Sequence, residues 1–148
     1  MSEAQHIIPA RLQEIVEDFQ SMDRGEKLEA LLEYSDQLPP LPEELRSAPL
    51  EHVDECATPI AIATERQGSA VVFHFDIPPE SPTVRGFAAI LREGLAGSSP
   101  QEVLSLPGDI YYTMGLHQAL SPQRLNGMHF MLIHLKRAAA RELAHKGR

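Results

Sequence analysis

The chain has 148 residues, enough for one domain with its own hydrophobic core and no cross-links. Its formal charge of −8 argues against a nucleic-acid binder, which would carry a basic patch, and its single cysteine excludes an internal disulfide and any cysteine-only metal site within one chain. A free thiol fits a reducing, cytoplasmic setting. The start, MSEAQHIIPARLQEI, lacks the basic and apolar regions of a signal peptide, and no apolar run is long enough to span a bilayer.

In chain order, Ile8, Leu12, Ile15, Val16, Phe19 and Met22 recur at helical spacing, so an amphipathic helix begins after Pro9. Gly25 interrupts it. Leu28, Leu31, Leu32 and Leu38 mark a second helix, which Pro39, Pro40 and Pro42 cannot continue. Residues 1–60 hold fourteen Asp and Glu against four Lys and Arg, a net of −10, whereas residues 61–148 hold seven against nine, a net of +2. A solvated acidic helical face accounts for this imbalance, a docking surface being the alternative, and in either case it can orient an approaching partner. From Pro42 to Cys56 no clear period appears, so that stretch reads as an irregular connection.

The period then changes to two. Ile60, Ile62 and Thr64 alternate with Ala61 and Ala63, and Val71, Phe73, Phe75 and Ile77 alternate with Val72, His74 and Asp76, with Gly68 at the reversal. This is a β-hairpin that places His74 on an exposed face, and helices must cover the other face, since a two-stranded ribbon is marginal alone. Three later helix starts share one device, Ser81-Pro82, Ser99-Pro100 and Ser121-Pro122, in which serine caps free N–H groups and proline takes the first helical position. Ser99 with Glu102 forms a capping box. The first of these helices buries Val84, Phe87, Ala88, Leu91 and Leu95. The GDIYYTMGL stretch makes a short helix. The last helix carries Leu125, Met128, Leu132, Leu135 and Ala139 and ends near Leu143, with Met128 and Met131 filling core. The expected fold is α+β: N-terminal helices, a small antiparallel sheet, and C-terminal helices packed on one face, in one domain over residues 1–148.

The seven histidines, at positions 6, 52, 74, 117, 129, 134 and 145, form no metal-binding pattern. His129 and His134 lie about 140° apart around a helix and do not share a face. A surface His52–Cys56 pair is the weak exception. No glycine-rich phosphate loop occurs, so no metal, nucleotide or other cofactor is expected.

Cys56 remains. A lone free cysteine commonly acts as a small buried apolar residue. Here the preceding SAPLEHVDE is too polar and irregular for core, which places the thiol near the surface, where a loop enters a strand. Asp54 and Glu55 disfavour a thiolate, whereas His52, four residues back, favours one when protonated. Such a thiol suits a carrier that waits for a partner better than a self-sufficient enzyme.

Four stretches, LPPLPEELR (38–46), VDECATPI (53–60), SPTVRGFAAIL (81–91) and LSPQRLNGM (120–128), together resemble the SufE family of sulfur acceptors, in order and spacing, over almost the whole chain. The LSPxRxNG stretch is the most specific. The resemblance implies that Cys56 accepts sulfur from the persulfide of a PLP-dependent cysteine desulfurase, stimulates that enzyme, and hands the sulfur to a SufBCD scaffold for iron–sulfur assembly. It implies that Arg124 sits near the cysteine loop, where it or Arg85 stabilises the thiolate or persulfide. It implies no cofactor in this chain, no nucleic acid and no membrane, and leaves a monomer open. The chain also departs from the family's V-x-G-C-x-S-x-V-W loop. Glu55 stands for the glycine, Thr58 for the serine, and the tryptophan is missing; Ala119 stands where relatives often carry histidine, with His117 two residues away. These changes allow a stiffer loop, a different desulfurase surface or weaker transfer. Two further readings stay open: a non-catalytic adaptor on the same fold, and a thiol-dependent hydrolase or peroxidase using His52 or His117, for which no orienting group or oxyanion hole is visible.

Overall fold

Two caps set the course of the N-terminal helices in the computed structural model, which describes residues 8–144. His6, His145 and the first seven residues of the segment read for a signal peptide lie outside the described residues. Helix α1 (Ala10–Gln20) follows Pro9 and buries Leu12, Ile15, Val16 and Phe19, as its spacing predicts. Helix α2 (Arg24–Gln37) starts at Asp23 through a capping box: the Asp23 carboxylate accepts from the Glu26 N–H and the Glu26 carboxylate from the Asp23 N–H, both at 2.8 Å. Its buried stripe is Lys27, Leu31 and Ser35, one register away from the leucine stripe the sequence predicts. Leu32 is exposed, and the Lys27 ammonium donates to the Met22 carbonyl at 2.5 Å.

The α+β expectation holds, with a third strand. The segment read as irregular contains a short 3-10 turn (Glu43–Leu45) and the strand β1 (Glu51–His52). β1 pairs antiparallel with β2 (Ala61–Gln67), which pairs antiparallel with β3 (Ala70–Asp76), in the order β1-β2-β3. Two residues are too few to show a period, so the sequence could not reveal β1. Between β2 and β3, Gly68 has φ +66° and Ser69 does not share the positive angle, the pattern of a type II′ turn. Register sorts the side chains: Ile62, Phe73, Phe75 and Glu51 lie on one face, and His52, Ala61, Ala63 and His74 on the other. His74 is nevertheless buried and pairs with Glu65 at 2.8 Å, so its expected exposure is wrong.

Helix α3 (Pro82–Gly94) runs through the middle, touching α1, α2, β3 and the final helix α6 (Pro122–Ala144), and is buried on most of its circumference. Glycine makes this possible. A Cβ on Gly86 would lie 2.2 Å from the Leu31 carbonyl oxygen, so α2 and α3 cross at backbone contact. Helix α4 (Pro100–Leu104) begins at the expected Ser99–Glu102 capping box, and the short α5 (Ile110–Thr113) follows. Met128, Met131, Leu132 and Leu135 of α6 fill the core. No helix among the described residues is long and apolar enough to cross a membrane.

Candidate functional site

The antiparallel pairing of β1 with β2 makes residues 53–60 the tip of a hairpin. Val53 and Ile60, both buried, form its base, where the Val53 N–H donates to the Ile60 carbonyl at 3.0 Å. Asp54, Glu55, Ala57 and Pro59 face solvent, and Cys56, whose N–H donates to the Val53 carbonyl at 3.3 Å, is half-buried. The thiol therefore lies in a turn between strands, four residues ahead of β2.

The sulfur turns inward, onto α6. A Cβ on Gly127 would stand 2.9 Å from Cys56 Sγ, so the thiol rests where any other residue would carry a side chain. Around it lies a pocket of about 290 Å³ between the hairpin tip, the start of α3 and the first turns of α6. Thr58, Ser81, Gln123, Arg124 and Asn126 supply its polar groups, and Glu55 and Glu80 its carboxylates. Arg124 precedes Gly127 by three residues, which puts the two on one helix face, and its guanidinium donates to the Thr83 hydroxyl at 3.0 Å. The Arg124 N–H in turn donates to the Ser121 hydroxyl at 3.4 Å, the cap expected at that start. Cys56 and Arg124 thus share one pocket.

Other expected residues go elsewhere. His52 lies on the opposite face of β1 from α6, where it lines a separate, shallower depression that reaches Cys56 from outside; among the described residues no hydrogen bond joins the two. Arg85 points away from the thiol, donating to the Ile77 carbonyl at 2.7 Å and to Ser35. Its part in stabilising the thiolate is thereby withdrawn. Ser81 does not cap α3: its hydroxyl meets that of Thr58 at 2.8 Å, tying the hairpin tip to the helix. His117 stacks on Tyr112, with ring centroids 3.7 Å apart, and His129 meets the Tyr111 hydroxyl at 3.1 Å. Among the described residues no histidine lines the α6-side pocket, so a hydrolytic base is missing from it.

The sequence alone did not point to His134. It lies one heptad beyond Gly127 on the same stripe of α6, buried, with Nδ1 against the Glu51 carboxylate and Nε2 2.8 Å from that of Glu55. Arg141, another heptad on, also reaches Glu51. Burial alone would lower the His134 pKa, but the hydrogen bonds and charges of Glu51 and Glu55 outweigh it and the net shift is upward. Burial likewise opposes ionisation of Glu51, and His134 and Arg141 reverse that, so its pKa falls; the His134 bond lowers that of Glu55. The only sequence sign of this arrangement is the seven-residue spacing of 127, 134 and 141, which means nothing until β1 is known to lie beside it. The carboxylates bind opposite ring nitrogens, and no three ligand-type side chains among the described residues gather as a metal site.

Known proteins carry the same frame. An uncharacterized SufE-like protein of Mycobacterium tuberculosis is 40% identical over 131 residues, covering 88% of this chain and 92% of its own. SufE-like protein 1, chloroplastic/mitochondrial, of Arabidopsis thaliana is 35% identical over 127 residues, covering 84% of this chain and 33% of its own. The solution structure of a hypothetical protein from Thermus thermophilus superimposes with a TM-score of 0.82 at 36% identity, over 93% of this chain and 99% of that one. Residues 13–139 match the family model described as SufE, Fe-S metabolism associated domain, and by that match and those identities the chain belongs to the SufE family.

Proposed function

We propose that this protein is a sulfur carrier. The observation that supports it best is the placement of the sole cysteine: Cys56 faces inward into a polar pocket that also holds the Arg124 guanidinium. The Cys56 thiolate attacks the terminal sulfur of the persulfide on a PLP-dependent cysteine desulfurase. A new S–S bond forms on Cys56 while the donor's S–S bond breaks and the donor cysteine leaves as a thiolate, so no external oxidant or reductant enters. Clearing the donor in this way stimulates the desulfurase. The same exchange in reverse sense delivers the sulfur to an iron–sulfur scaffold of the SufBCD type. Arg124, permanently charged, stabilises the anionic sulfur at both stages. A lone cysteine protects the cargo, since a second thiol nearby would expel it as sulfide. The carrier needs no cofactor of its own and works as an accessory rather than a stand-alone enzyme, as a monomer of one domain in the cytoplasm.

Intact-mass spectrometry after incubation with a cysteine desulfurase, PLP and L-cysteine, without added reductant, tests this. Wild type gains one sulfur mass; Cys56→Ser gains none and keeps its fold. Arg124→Gln loads more slowly by roughly tenfold, the scale of one lost charge-assisted hydrogen bond. The tether on Glu55 favours one competing reading, an adaptor whose hairpin no longer transfers sulfur. That reading takes over if the thiol can be alkylated yet stays unloaded.

A further inference from the structure

Gly127, His134 and Arg141 recur every seven residues along α6, nearly two turns each, so one stripe of the helix meets in succession the thiol, the hairpin tip and β1. His134 is the middle member. Its side chain is 6% exposed and has a carboxylate at each ring nitrogen, Glu51 from β1 and Glu55 from the tip. Carboxylates only accept, so both nitrogens must donate, which only the imidazolium can do. The two ends of this bridge differ. Glu51 is buried and keeps Arg141 as a second partner, whereas Glu55 is 40% exposed, sits next to Cys56 in the chain, and has His134 as its hydrogen-bonded ion-pair partner.

We propose that His134 is a positioning residue for Cys56, whose bridge from Glu51 to Glu55 holds the hairpin tip down and so keeps the thiol against Gly127. Breaking the Glu55 end frees the tip to swing on its Val53–Ile60 base and carry the sulfur out of the pocket toward a donor. The purpose of this latch rests on the sulfur-carrier reading; its existence does not. The charged groups facing it are Glu51 from β1, Glu55 from the tip, and Arg141 and Arg137 from α6, the last acting on Glu55 through space; Arg66 of β2 pairs instead with Glu142. His134 has its pKa raised, so the bridge is complete below the ordinary imidazole range of about 6.5 and is lost as pH rises through the raised value.

The test is the rate of Cys56 alkylation by iodoacetamide, an uncharged probe, on the full chain from about pH 5.5 to 9, with no desulfurase present. Dividing the rates of His134→Gln and Glu55→Gln by that of wild type at each pH largely removes the thiol's own ionisation. Both ratios are expected at on the order of ten on the acid side, falling toward one on the alkaline side, as the loss of a charge-assisted bond predicts. Electrostatics without a latch gives a different pattern. Removing a positive charge at His134 would slow alkylation, and removing a negative one at Glu55 would speed it by a factor independent of pH. A His134→Gln ratio at or below one, or a flat Glu55→Gln ratio, overturns the proposal. Should His134→Gln not fold, Glu55→Gln decides, because Glu55 is exposed. Sulfur loading is not read, so a working latch on a protein that accepts no sulfur, and a carrier without a latch, give distinct results.

Discussion

Cys56 owes its position to an absent side chain. The sulfur occupies the space over Gly127, and a methyl group there would sit 2.9 Å from it and 4.0 Å from a Val84 methyl. Gly127→Ala therefore sets two effects against each other. Alanine favours the helix by about 1 kcal/mol over glycine in an interior position. Against that, the new methyl displaces the sulfur, which is the mobile party because it ends a short side chain on a turn. The helix gain and the lost contact are similar in size, so the thermal midpoint stays close to that of wild type. The thiol does not stay where it was. Iodoacetamide should react several-fold faster, with a midpoint unchanged or slightly raised; a lowered midpoint with unchanged alkylation would mean that α6 yields rather than the tip. Glu55 makes the complementary point. Read from sequence, it is a charge put beside a nucleophile in place of a flexible glycine. In the structure its carboxylate is turned away to His134, so its effect on the thiol is mechanical before it is electrostatic.

At the scale of elements, glycine again decides the packing. Where α2 crosses α3, a Cβ on Gly86 would be 2.2 Å from the Leu31 carbonyl oxygen and 2.9 Å from its carbon. Those are backbone atoms in the middle of a helix, so no side chain can turn aside and the whole crossing must widen. Overpacking of this kind costs about 1–3 kcal/mol, of which the helix preference of alanine returns a part. Gly86→Ala should lose about 2 kcal/mol in urea unfolding, and the midpoint of thermal unfolding should fall by about 5 °C. Stability equal to wild type would show that the helices do not meet at backbone contact. The elements themselves were legible wherever periodicity or caps had length to express them: α1, the β2–β3 hairpin, the Ser99 box and the core side of α6. They were illegible where tertiary contact overrode pattern. The α2 stripe turned by one register because Lys27 and Ser35 found buried partners in the Met22 carbonyl and Arg85, and Ser81 gave up capping α3 to bond Thr58.

For the molecule as a whole, what the sequence concealed is how the site is held. The cysteine and the arginine could be named from motifs, but the parts that seat them come from β1, two residues long, and from a heptad stripe that needs β1 beside it to have meaning. The same facts set the order in which the molecule opens. Helix α3 touches α1, α2, β3 and α6, so its amides exchange only when all of these separate, which is global unfolding. The hairpin tip has far less behind it. β1 is a two-residue edge strand, and beyond its base the tip is held by side chains, Glu55 on His134 and Thr58 on Ser81. Those can part while the core stays intact, exposing little new surface. The response to urea separates the two cases, because that dependence scales with the surface exposed. Amide exchange in α3 should accelerate steeply with sub-denaturing urea, along the global unfolding line, while Cys56 alkylation should stay nearly flat until the unfolding transition begins. If alkylation instead tracks α3 exchange, the thiol is reached only through unfolding of the core. The tip would then be part of the cooperative fold, and a partner would have to take sulfur onto Cys56 within the closed pocket.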